Sequence, residues 1–349
     1  MNKYYTRACN FYYGTVSKKY LKKKKSIPLN GYSHISFDEI EIINRKKTKV
    51  IKVKDIKKLP NNLKIKVIKD LKNITKKKIL NKLRSSDIPI LMGIINLTPD
   101  SFSDGGKYNK NNLAKKRVNS LLLSGAKIID VGGESTRPGA IDIQPIKEWN
   151  RIKFILKNLK NKKNYISLDT RKSFVMEKAS KIKIDLINDV SGLTYDPETI
   201  NFLKKTKKPF VIHHMKGTPK NMQIKPAYKN VLLDIYDFFE TKLKYLRKQG
   251  IKHNNIILDP GIGFGKNLKH NITLLKNISI FHSLGLPIML GLSRKRFIKD
   301  ISKENDTKDR IGGTISSCIQ AYLQGVQILR VHDVKEINQA FKVFRELQN

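Results

Sequence analysis

Residues 256–266 read IILDPGIGFGK, a short apolar run that ends in an aspartate and is followed by alternating glycines. The stretch does not match a P-loop, because Asn267 follows Lys266 where Ser or Thr is required, and its glycine spacing does not match a dinucleotide fingerprint. Two interpretations of Asp259 remain. It is either a solvated loop carboxylate before a turn or a functional carboxylate at the carboxyl end of a buried strand, where (β/α)8 barrels carry their sites.

The same pattern recurs from Ile88 onward, where apolar runs end in polar, glycine-rich turns and amphipathic segments separate them. Such runs indicate parallel strands that are buried on both faces. The eight runs are residues 90–96, 127–133, 165–170, 185–192, 209–215, 256–261, 287–293 and 328–333. Eight strand–helix repeats over about 260 residues predict an α/β fold, a (β/α)8 TIM barrel over residues 88–349. A doubly wound sheet is the rival, but it usually has fewer strands.

The composition limits the possible partners. The chain has 349 residues, 39% of them hydrophobic, which is enough for one large domain and a small one. Its formal net charge of +42 often indicates a nucleic-acid or anionic-surface partner. Here the excess is lysine spread along the whole chain, so we expect a positive surface that attracts anions but no required nucleic acid. No stretch reaches the roughly 18 apolar residues of a membrane span, so no membrane partner is expected.

Residues 1–87 differ from the rest and predict a basic α+β extension, with two strands around the turn NRKK and a basic helix or two after them. The extension could dock on the barrel, bind a partner or be removed, and docking is our hypothesis. The two cysteines, Cys9 and Cys318, show no metal-ligand spacing and favour a reducing, cytoplasmic location. Organelle targeting through the basic N-terminus is the alternative, although KKKK at 22–25 is not typical of a presequence.

Each predicted strand ends in a polar residue, and the carboxyl ends of barrel strands meet at one mouth. Buried carboxylates and amides are costly unless they are paired, so a full set of such ends indicates a binding site rather than packing. The ends are Asn96, Asp130, Asp169, Asn188, His213 with His214, Asp259, Ser293 with Lys295, and Arg330 with His332. By itself, His214 is more typical of a core histidine than of a site residue.

These strand ends suggest two neighbouring subsites, and two long loops are predicted to close over them. Carboxylates, an amide and an ammonium suit a flat heterocycle with a guanidine-like edge, because a carboxylate accepts two parallel N–H donors. The residues of this subsite are Asp169, Asn188, Asp259 and Lys295. Asn96, Arg330 and His332 instead suit an anion such as a diphosphate with Mg²⁺. Two long polar turns, 96–109 and 132–140, predict lids over the mouth, with ordinary mobile connections as the alternative.

Eight motifs, taken in order, resemble those of dihydropteroate synthase, a pterin-binding barrel family. They are NLTPDSFSDGG, IIDVGGESTRPGA, SLDT, INDVSG, HHMKGTPKNMQ, DPGIGFGK, GLSRKRF and RVHD. The resemblance covers residues 88–349 and leaves 1–87 aside. It implies a transferase of folate biosynthesis that joins 6-hydroxymethyl-7,8-dihydropterin diphosphate to p-aminobenzoate, forming 7,8-dihydropteroate and pyrophosphate. It also implies Mg²⁺, a dissociative, SN1-like substitution and a homodimer.

The resemblance also assigns roles to residues of this chain. It implies that Asp259 holds the 2-amino and N3 edge of the pterin. The other pterin-binding positions it implies are Asp169, Asn188, Met215 and Lys295. It implies Asn96 as a metal ligand and places Asp130, Arg330 and His332 around the diphosphate, with Asp130, Lys295, Arg330 and His332 as the catalytic residues. The positions it implies for p-aminobenzoate and its lid loop are Thr136, Arg137, Pro138, Phe264 and Ser293.

Two positions depart from the family pattern. Some members have Met-His-Met where this chain has His213-His214-Met215, which changes the packing around the pterin. Arg296 stands after SRK where some members have Ser. It either strengthens the helix N-terminus that favours the aminobenzoate carboxylate or points to solvent.

Two rival functions make different predictions. A methyltransferase barrel that acts on methyltetrahydrofolate with a corrinoid partner would share the pterin positions but lack a diphosphate site and the two closing loops. A basic RNA-binding protein that retained an inactive barrel would have broken site positions, and its affinity would fall steeply with salt. We find no broken site position in the sequence, which favours the synthase.

Overall fold

The chain folds as an N-terminal α+β unit followed by a barrel of parallel strands. The computed structural model describes residues 3–78, 89–98, 110–135, 139–161, 163–218 and 221–348. Most of the first predicted lid, and Thr136, Arg137 and Pro138 of the second, lie outside these described residues, so both lids stay predictions.

The N-terminal unit is a small antiparallel sheet with two helices. Strand β3 pairs with β1, β2 and β4, so it is the centre of the sheet. The elements are β1 (Tyr5–Tyr13), α1 (Gly14–Lys22), β2 (Ile27–Pro28), β3 (Ile35–Ile43), β4 (Thr48–Lys52), a 3-10 helix (Val53–Lys58) and α2 (Asn61–Thr75). The two strands around NRKK are confirmed, and the basic segment after them forms one helix, α2.

The second part contains eight strands that alternate with helices. The strands are β5 (Ile90–Asn96), β6 (Ile128–Gly132), β7 (Tyr165–Asp169), β8 (Leu186–Asp189), β9 (Phe210–His213), β10 (Ile256–Asp259), β11 (Met289–Gly291) and β12 (Ile328–Val331). The α-helices are α3 (Lys110–Leu123), α4 (Pro145–Leu159), α5 (Ser173–Ser180), α6 (Glu198–Thr206), α7 (Val231–Lys248), α8 (Leu268–Lys276), α9 (Arg296–Ser302), α10 (Ile311–Leu323) and α11 (Val334–Glu346). Short 3-10 helices lie at His253–Asn255 and Ile278–Leu284.

These strands form one parallel sheet in the order β10-β9-β8-β7-β6-β5-β12-β11. The two ends of that order meet, because Leu258 of β10 forms a parallel bridge with Ile288 just before β11. The sheet is therefore closed, and the (β/α)8 barrel predicted from the eight apolar runs is confirmed. Each observed strand lies within its predicted run.

The inward-facing residues of the barrel form an apolar layer below a polar one. The apolar layer is a separate cluster of buried side chains: Ile90, Met92, Ile128, Leu186, Val211, Ile257, Met289 and Ile328. Strand side chains alternate between faces, so the residue two positions further along faces inward again, closer to the mouth. Asp130, Asn188, Asp259 and Arg330 all stand two positions after a member of this cluster. The apolar layer therefore shows which residue of each strand faces the site.

The N-terminal unit packs against the outside of the barrel. It lies over the 3-10 helix Ile278–Leu284, in which Ile278, Ile280 and Phe281 are fully buried. The Ser279 hydroxyl donates to the carbonyl oxygen of Ala8 at 3.0 Å. These contacts cover apolar surface of the barrel with apolar surface of the unit, which stabilises both.

A group of charges on α7, which we call the α7 clamp, adds to this interface. Arg45 donates to Asp234 at 2.8 Å and to Asp237 at 2.7 Å. Lys3 of the N-terminal unit pairs with Asp237 and, at 2.8 Å, with Glu240. The clamp consists of these five residues and ties the segment before β1 and the turn between β3 and β4 to one helix. None of the helices in the described ranges is long and apolar enough to cross a membrane.

Candidate active site

A cavity opens at the carboxyl ends of the barrel strands. It holds about 370 Å³ of space, part of which is open solvent at its mouth. Its lining residues are Asp169, Asn188, Val190, His213, Asp259, Ile262, Phe264, Met289, Gly291, Lys295 and Arg330. The four residues predicted for the heterocycle subsite all line this cavity, as do Phe264 and Arg330.

Asp259 ends β10 and is 4% exposed. Its Oδ1 accepts the Gly261 N–H at 2.8 Å. Burial raises the pKa of Asp259 to about 6, and the Gly261 bond and the nearby Lys295 and Lys266 ammonium groups oppose that rise. A buried carboxylate with a raised pKa in a cavity is suited to accept hydrogen bonds from a bound ligand.

The glycines after Asp259 allow close packing rather than phosphate binding. Gly261 has φ +70, and a Cβ there would lie 2.0 Å from the carbonyl oxygen of His214. A Cβ on Gly263 would meet the Lys295 side chain at 3.1 Å. The turn therefore lies against the loop after β9 and leaves room for Lys295 to reach the cavity.

Lys295 and Phe264 form one wall of the cavity. The Lys295 Nζ lies 4.1 Å from the centroid of the Phe264 ring, a distance suited to a cation–π contact. Burial lowers the pKa of Lys295 to about 8, while Asp259 raises it and Arg330 lowers it further. Lys295 lies directly before α9, whose first residue is Arg296. The Lys295 ammonium group is therefore held in a fixed position as a hydrogen-bond donor. It can lose its proton near neutral pH.

Arg330 joins the two predicted subsites. Its Nε donates to Asp130 Oδ2 and its Nη2 donates to Asp169 Oδ2, both at 2.6 Å. Asn188 also donates to Asp130 Oδ2, at 3.2 Å. Burial raises the pKa of Asp169 to about 7 against the opposing charge of Arg330. Burial works against the guanidinium, but Asp130 and Asp169 hold the pKa of Arg330 above its ordinary value, so it stays cationic.

Two side-chain oxygen atoms are suited to coordinate a magnesium ion that is held mainly by a bound diphosphate. Asn96 is half-buried and faces inward on β5, two residues beyond Ile94, the register partner of Asp130. The Oδ1 atom of Asp130 is buried and makes no hydrogen bond within the described part of the chain. No group of three His, Cys, Asp or Glu side chains in those ranges is arranged to hold a metal. An ion here would need oxygen ligands from a diphosphate and water, which is how Mg²⁺ usually binds.

Ser293 and His332 are not among the residues that line the cavity. The Ser293 hydroxyl accepts the His332 N–H at 3.2 Å, which ties β11 to β12. Burial, with Arg330 and Arg294 nearby, lowers the pKa of His332, so its imidazole is neutral without an anion. Arg296 has 75% of its side chain exposed and pairs with Asp300 at 3.6 Å. This favours the interpretation that Arg296 points to solvent.

Comparison with known proteins identifies the family. Residues 92–332 match the family described as pterin binding enzymes. The dihydropteroate synthase of Neisseria meningitidis serogroup C is 40% identical over 264 residues, covering 75% of this chain and 93% of that protein. The dihydropteroate synthase of Escherichia coli strain K12 is 39% identical over 256 residues, covering 73% and 90%. The chain belongs to the dihydropteroate synthase family.

Solved structures of dihydropteroate synthases have the same fold. The Yersinia pestis enzyme in a sulfonamide drug complex has a TM-score of 0.70 at 39% identity, covering 74% of this chain and 94% of that one. The Xanthomonas albilineans enzyme with 4-aminobenzoic acid has a TM-score of 0.71 at 34% identity, covering 75% and 94%. The predicted barrel, the family and the enzyme class, a transferase of folate biosynthesis, are confirmed. The individual site residues stay predictions.

The resemblance assigned no role to five of the residues that line the cavity, which are Val190, His213, Ile262, Met289 and Gly291. His213 lines the cavity, whereas Met215 is half-buried and is not among the lining residues. The apolar walls are Val190, Ile262 and Met289. The sequence places His213 among the polar strand ends, and its position two residues after Val211 of the apolar layer explains why it faces the cavity. The role of Met215 in dihydropteroate synthase chemistry stays a prediction.

His214 and Lys266 form a buried support beside the cavity. The Lys266 Nζ is 3.0 Å from His214 Nδ1, 3.3 Å from the His214 carbonyl oxygen and 2.8 Å from the Phe264 carbonyl oxygen. Lys266 is 2% exposed. These bonds tie the loop after β9 to the glycine turn after β10, so Lys266 positions Phe264. His214 is 7% exposed and is not among the residues that line the cavity, whereas its neighbours in HHMKGTP favour a pocket-lining position.

A buried ion-pair network lies at the two ends of the second predicted lid, residues 132–140. Lys172 bridges Glu134 at 2.6 Å and Glu148 at 2.8 Å, and Arg171 donates to Glu134 at 2.8 Å. Glu134 also accepts the Ile143 N–H at 3.2 Å. The network ties the start and the end of this loop to the turn after β7, which begins at the cavity residue Asp169. It was not predicted, because its members come from separate loops with no common sequence spacing.

Proposed function

We propose that this chain joins 6-hydroxymethyl-7,8-dihydropterin diphosphate to p-aminobenzoate at the barrel mouth, by a dissociative, SN1-like substitution. The bond between the pterin methylene and the diphosphate oxygen breaks, and a bond from the methylene to the amine nitrogen forms. The amine loses one proton, so the products are 7,8-dihydropteroate and pyrophosphate. The main support is the pairing of a buried acceptor, Asp259, with an inward-facing cation, Arg330, in one cavity. Solved relatives are described with 4-aminobenzoic acid and with 7,8-dihydropteroate.

The pterin end of the cavity recognises a flat ring with several N–H donors. Asp259 accepts from the 2-amino and N3 edge, because a carboxylate accepts two parallel donors. Asn188 on β8 and Asp169 on β7 lie further round the barrel and address the other polar atoms of the ring. Lys295 donates to a ring acceptor, and its contact with Phe264 holds its ammonium over the cavity. Met289 and Ile262 pack against the ring.

The diphosphate end neutralises the leaving group. Arg330 is a cation that lines the cavity, and His332, whose imidazole burial keeps neutral, donates an N–H to the leaving anion. Asp130 is fully buried and bonds Arg330 and Asn188. It therefore holds Arg330 in place through Oδ2 and leaves its second oxygen, Oδ1, unbonded among the described residues. Since the pterin ring can spread the positive charge left on its methylene, the protein mainly stabilises the departing anion and positions the amine.

Asn96 and the free oxygen of Asp130 would hold Mg²⁺ together with the diphosphate. The ion, when bound, supplies positive charge that stabilises the leaving group. Phe264 and Ser293 lie on the side assigned to p-aminobenzoate. Thr136, Arg137 and Pro138 would close over it and exclude water.

The wider setting of the reaction belongs to the same proposal. The partners are the two small-molecule substrates and a second copy of the chain in a homodimer, with no required nucleic acid or membrane. The location is cytoplasmic, in keeping with two free cysteines that form no disulfide. Light scattering of the purified chain measures the dimer directly, and a monomer at micromolar concentration would contradict it.

The decisive experiment is pyrophosphate release from dihydropterin diphosphate and Mg²⁺, with and without p-aminobenzoate, for the wild type and Asp259→Asn. We expect release that depends on aminobenzoate and falls about 100-fold in the variant, because a charge-assisted bond in a buried cavity contributes about 3 kcal/mol. Lys269→Met, on the exposed face of α8, is the control and should leave release unchanged. Pterin binding without release would instead point to a methyltransferase-like or inactive barrel.

A further inference from the structure

His213 stands directly beside Asp259, because the two residues are register partners of the β9–β10 pair. Its side chain is 5% exposed and lines the cavity. Its Nδ1 lies 3.1 Å from the carbonyl oxygen of Val190. A carbonyl oxygen can only accept, so Nδ1 carries a proton and donates it to Val190.

The other ring nitrogen of His213 is therefore an acceptor. Burial, with Lys266 and Lys295 nearby, holds the pKa of His213 well below its ordinary value, so the ring is neutral near pH 7. In a neutral imidazole whose Nδ1 is protonated, Nε2 has a free lone pair. The Phe264 ring meets the imidazole edge to face at 4.5 Å between centroids, which fixes the plane of the ring.

Asp259 and His213 thus present two acceptors side by side. The distance from His213 Nε2 to Asp259 Oδ2 is 4.0 Å. The other carboxylate oxygen, Oδ1, already accepts the Gly261 N–H. Two adjacent buried acceptors are unfavourable without a donor between them, so the pair is suited to a ligand group that carries two diverging N–H bonds.

The donors of the ligand outnumber the acceptors of one carboxylate. The guanidine-like edge of the heterocycle in our proposed function has three N–H bonds, two on the exocyclic amino group and one on the ring. A carboxylate accepts two of them in parallel, and the third would be left unpaired in a buried cavity, which is costly. We propose that Nε2 of His213 accepts this third N–H and so makes the exocyclic amino group a specificity determinant shared by His213 and Asp259.

The other side chains of the cavity do not offer this acceptor at the same place. Lys295 and Arg330 have only donors. Asn188 lies on β8, one strand further from Asp259 than His213 does, and is in register with Val211 of β9. Its amide donates to Asp130. Asp169 is engaged by Arg330 at 2.6 Å. Among the described residues that line the cavity, His213 is the acceptor beside Asp259, and the assignment rests on the proposed pterin site.

The test varies the protein and the ligand together. Dissociation constants are measured for 6-hydroxymethylpterin and for its analogue in which hydrogen replaces the 2-amino group. The proteins are the wild type, His213→Met and His213→Gln. The methionine variant retains bulk but removes the acceptor, whereas the glutamine variant retains an acceptor oxygen. We expect His213→Met to weaken pterin binding about tenfold and analogue binding hardly at all, with partial recovery in His213→Gln.

Three results would speak against this inference in different ways. An equal loss for both ligands in His213→Met would assign His213 a packing role and overturn the inference alone. Failure of the wild type to bind 6-hydroxymethylpterin would overturn the proposed function and the inference with it. If the variants do not fold, ¹⁵N NMR of the wild-type imidazole still decides. The Nε2 signal should shift on adding pterin but not on adding the analogue, and identical spectra with both ligands would overturn the inference.

Discussion

Arg330 and Arg45 each bridge two carboxylates, but they do so in different surroundings. Arg330 binds Asp130 and Asp169 at the barrel mouth, where its side chain is 21% exposed and Asp130 is fully buried. Arg45 of the α7 clamp binds Asp234 and Asp237 on the surface with 44% of its side chain exposed. The guanidinium fork and the hydrogen-bond lengths are nearly the same in both, so any difference in effect comes from burial.

The carboxylate partners respond to that difference in opposite directions. Burial acts against ionisation of Asp237, but hydrogen bonds from Lys3, Arg45 and Tyr5 lower its pKa. At the mouth, burial raises the pKa of Asp169 to about 7 in spite of Arg330. In the clamp, hydrogen bonds outweigh the effect of burial and keep the carboxylate ionised. At the mouth, the hydrogen bonds and the charge of Arg330 do not fully offset burial, so ionisation of the carboxylate stays less favourable than in water. Such imbalance is typical of binding and catalytic sites, and a ligand with N–H donors would relieve it.

The largest effect is expected from Arg330→Met. The change leaves Asp130 and Asp169 buried without their cation, which costs about 3–5 kcal/mol of the free energy of unfolding at neutral pH. It also removes the cation that faces the leaving group, so aminobenzoate-dependent pyrophosphate release should fall below detection. Urea unfolding and the release assay measure the two effects. An unchanged free energy of unfolding would show that burial does not distinguish the two arginines.

A second prediction concerns Lys266, a buried amine whose hydrogen bonds go to two carbonyl oxygens and a histidine nitrogen. Lys266→Met leaves these acceptors unpaired, and we expect a loss of about 1–3 kcal/mol in the free energy of unfolding. Lys269→Met is the matched control on the same segment and should change it by less than about 0.5 kcal/mol. If both variants unfold alike in urea, Lys266 does not tie the two loops together.

The inward-facing residues could be predicted from the sequence because a buried strand repeats every two residues. Ile257 and Asp259, or Ile328 and Arg330, show the same step from apolar floor to polar mouth. The ends of the runs therefore indicated most of the cavity lining before any geometry was known. The barrel itself followed from the number of runs and their spacing.

The contacts between distant loops could not be predicted in this way. Glu134 and Lys172 meet across two loops, and no periodic pattern relates their positions. Arg330 was assigned to the diphosphate side alone, yet it also binds Asp169 of the pterin side, since that contact depends on the closure of the barrel. His213 lies on the inward face, but its role as an acceptor depends on the Val190 carbonyl, which a sequence does not reveal.

A third prediction uses the raised pKa of Asp259. Its pKa of about 6 lies above the ordinary 3.8, so between these values the folded protein holds a proton that the unfolded chain has released. Pterin N–H donors favour the ionised carboxylate, so binding below pH 6 must expel that proton. We expect the dissociation constant of 6-hydroxymethylpterin to rise about tenfold per pH unit below 6, to be lowest near pH 7 and to rise again near pH 8, where Lys295 loses its proton. Titrations from pH 5 to 8 measure this, and a similar slope in Asp259→Asn would assign it to another group.

The smallest effect is expected from Arg45→Met in the α7 clamp. Exposed ion pairs contribute about 0–1 kcal/mol, so the free energy of unfolding should fall by less than about 1 kcal/mol at low salt. The difference from the wild type should shrink toward zero near 1 M salt, because the Debye length is then only about 3 Å. Pyrophosphate release should stay at the wild-type rate, since the clamp lies on the outer face of α7. A slower rate with unchanged stability would mean that the N-terminal unit influences the mouth through α7. Both arginines would then influence pyrophosphate release, and only the size of their effects would differ.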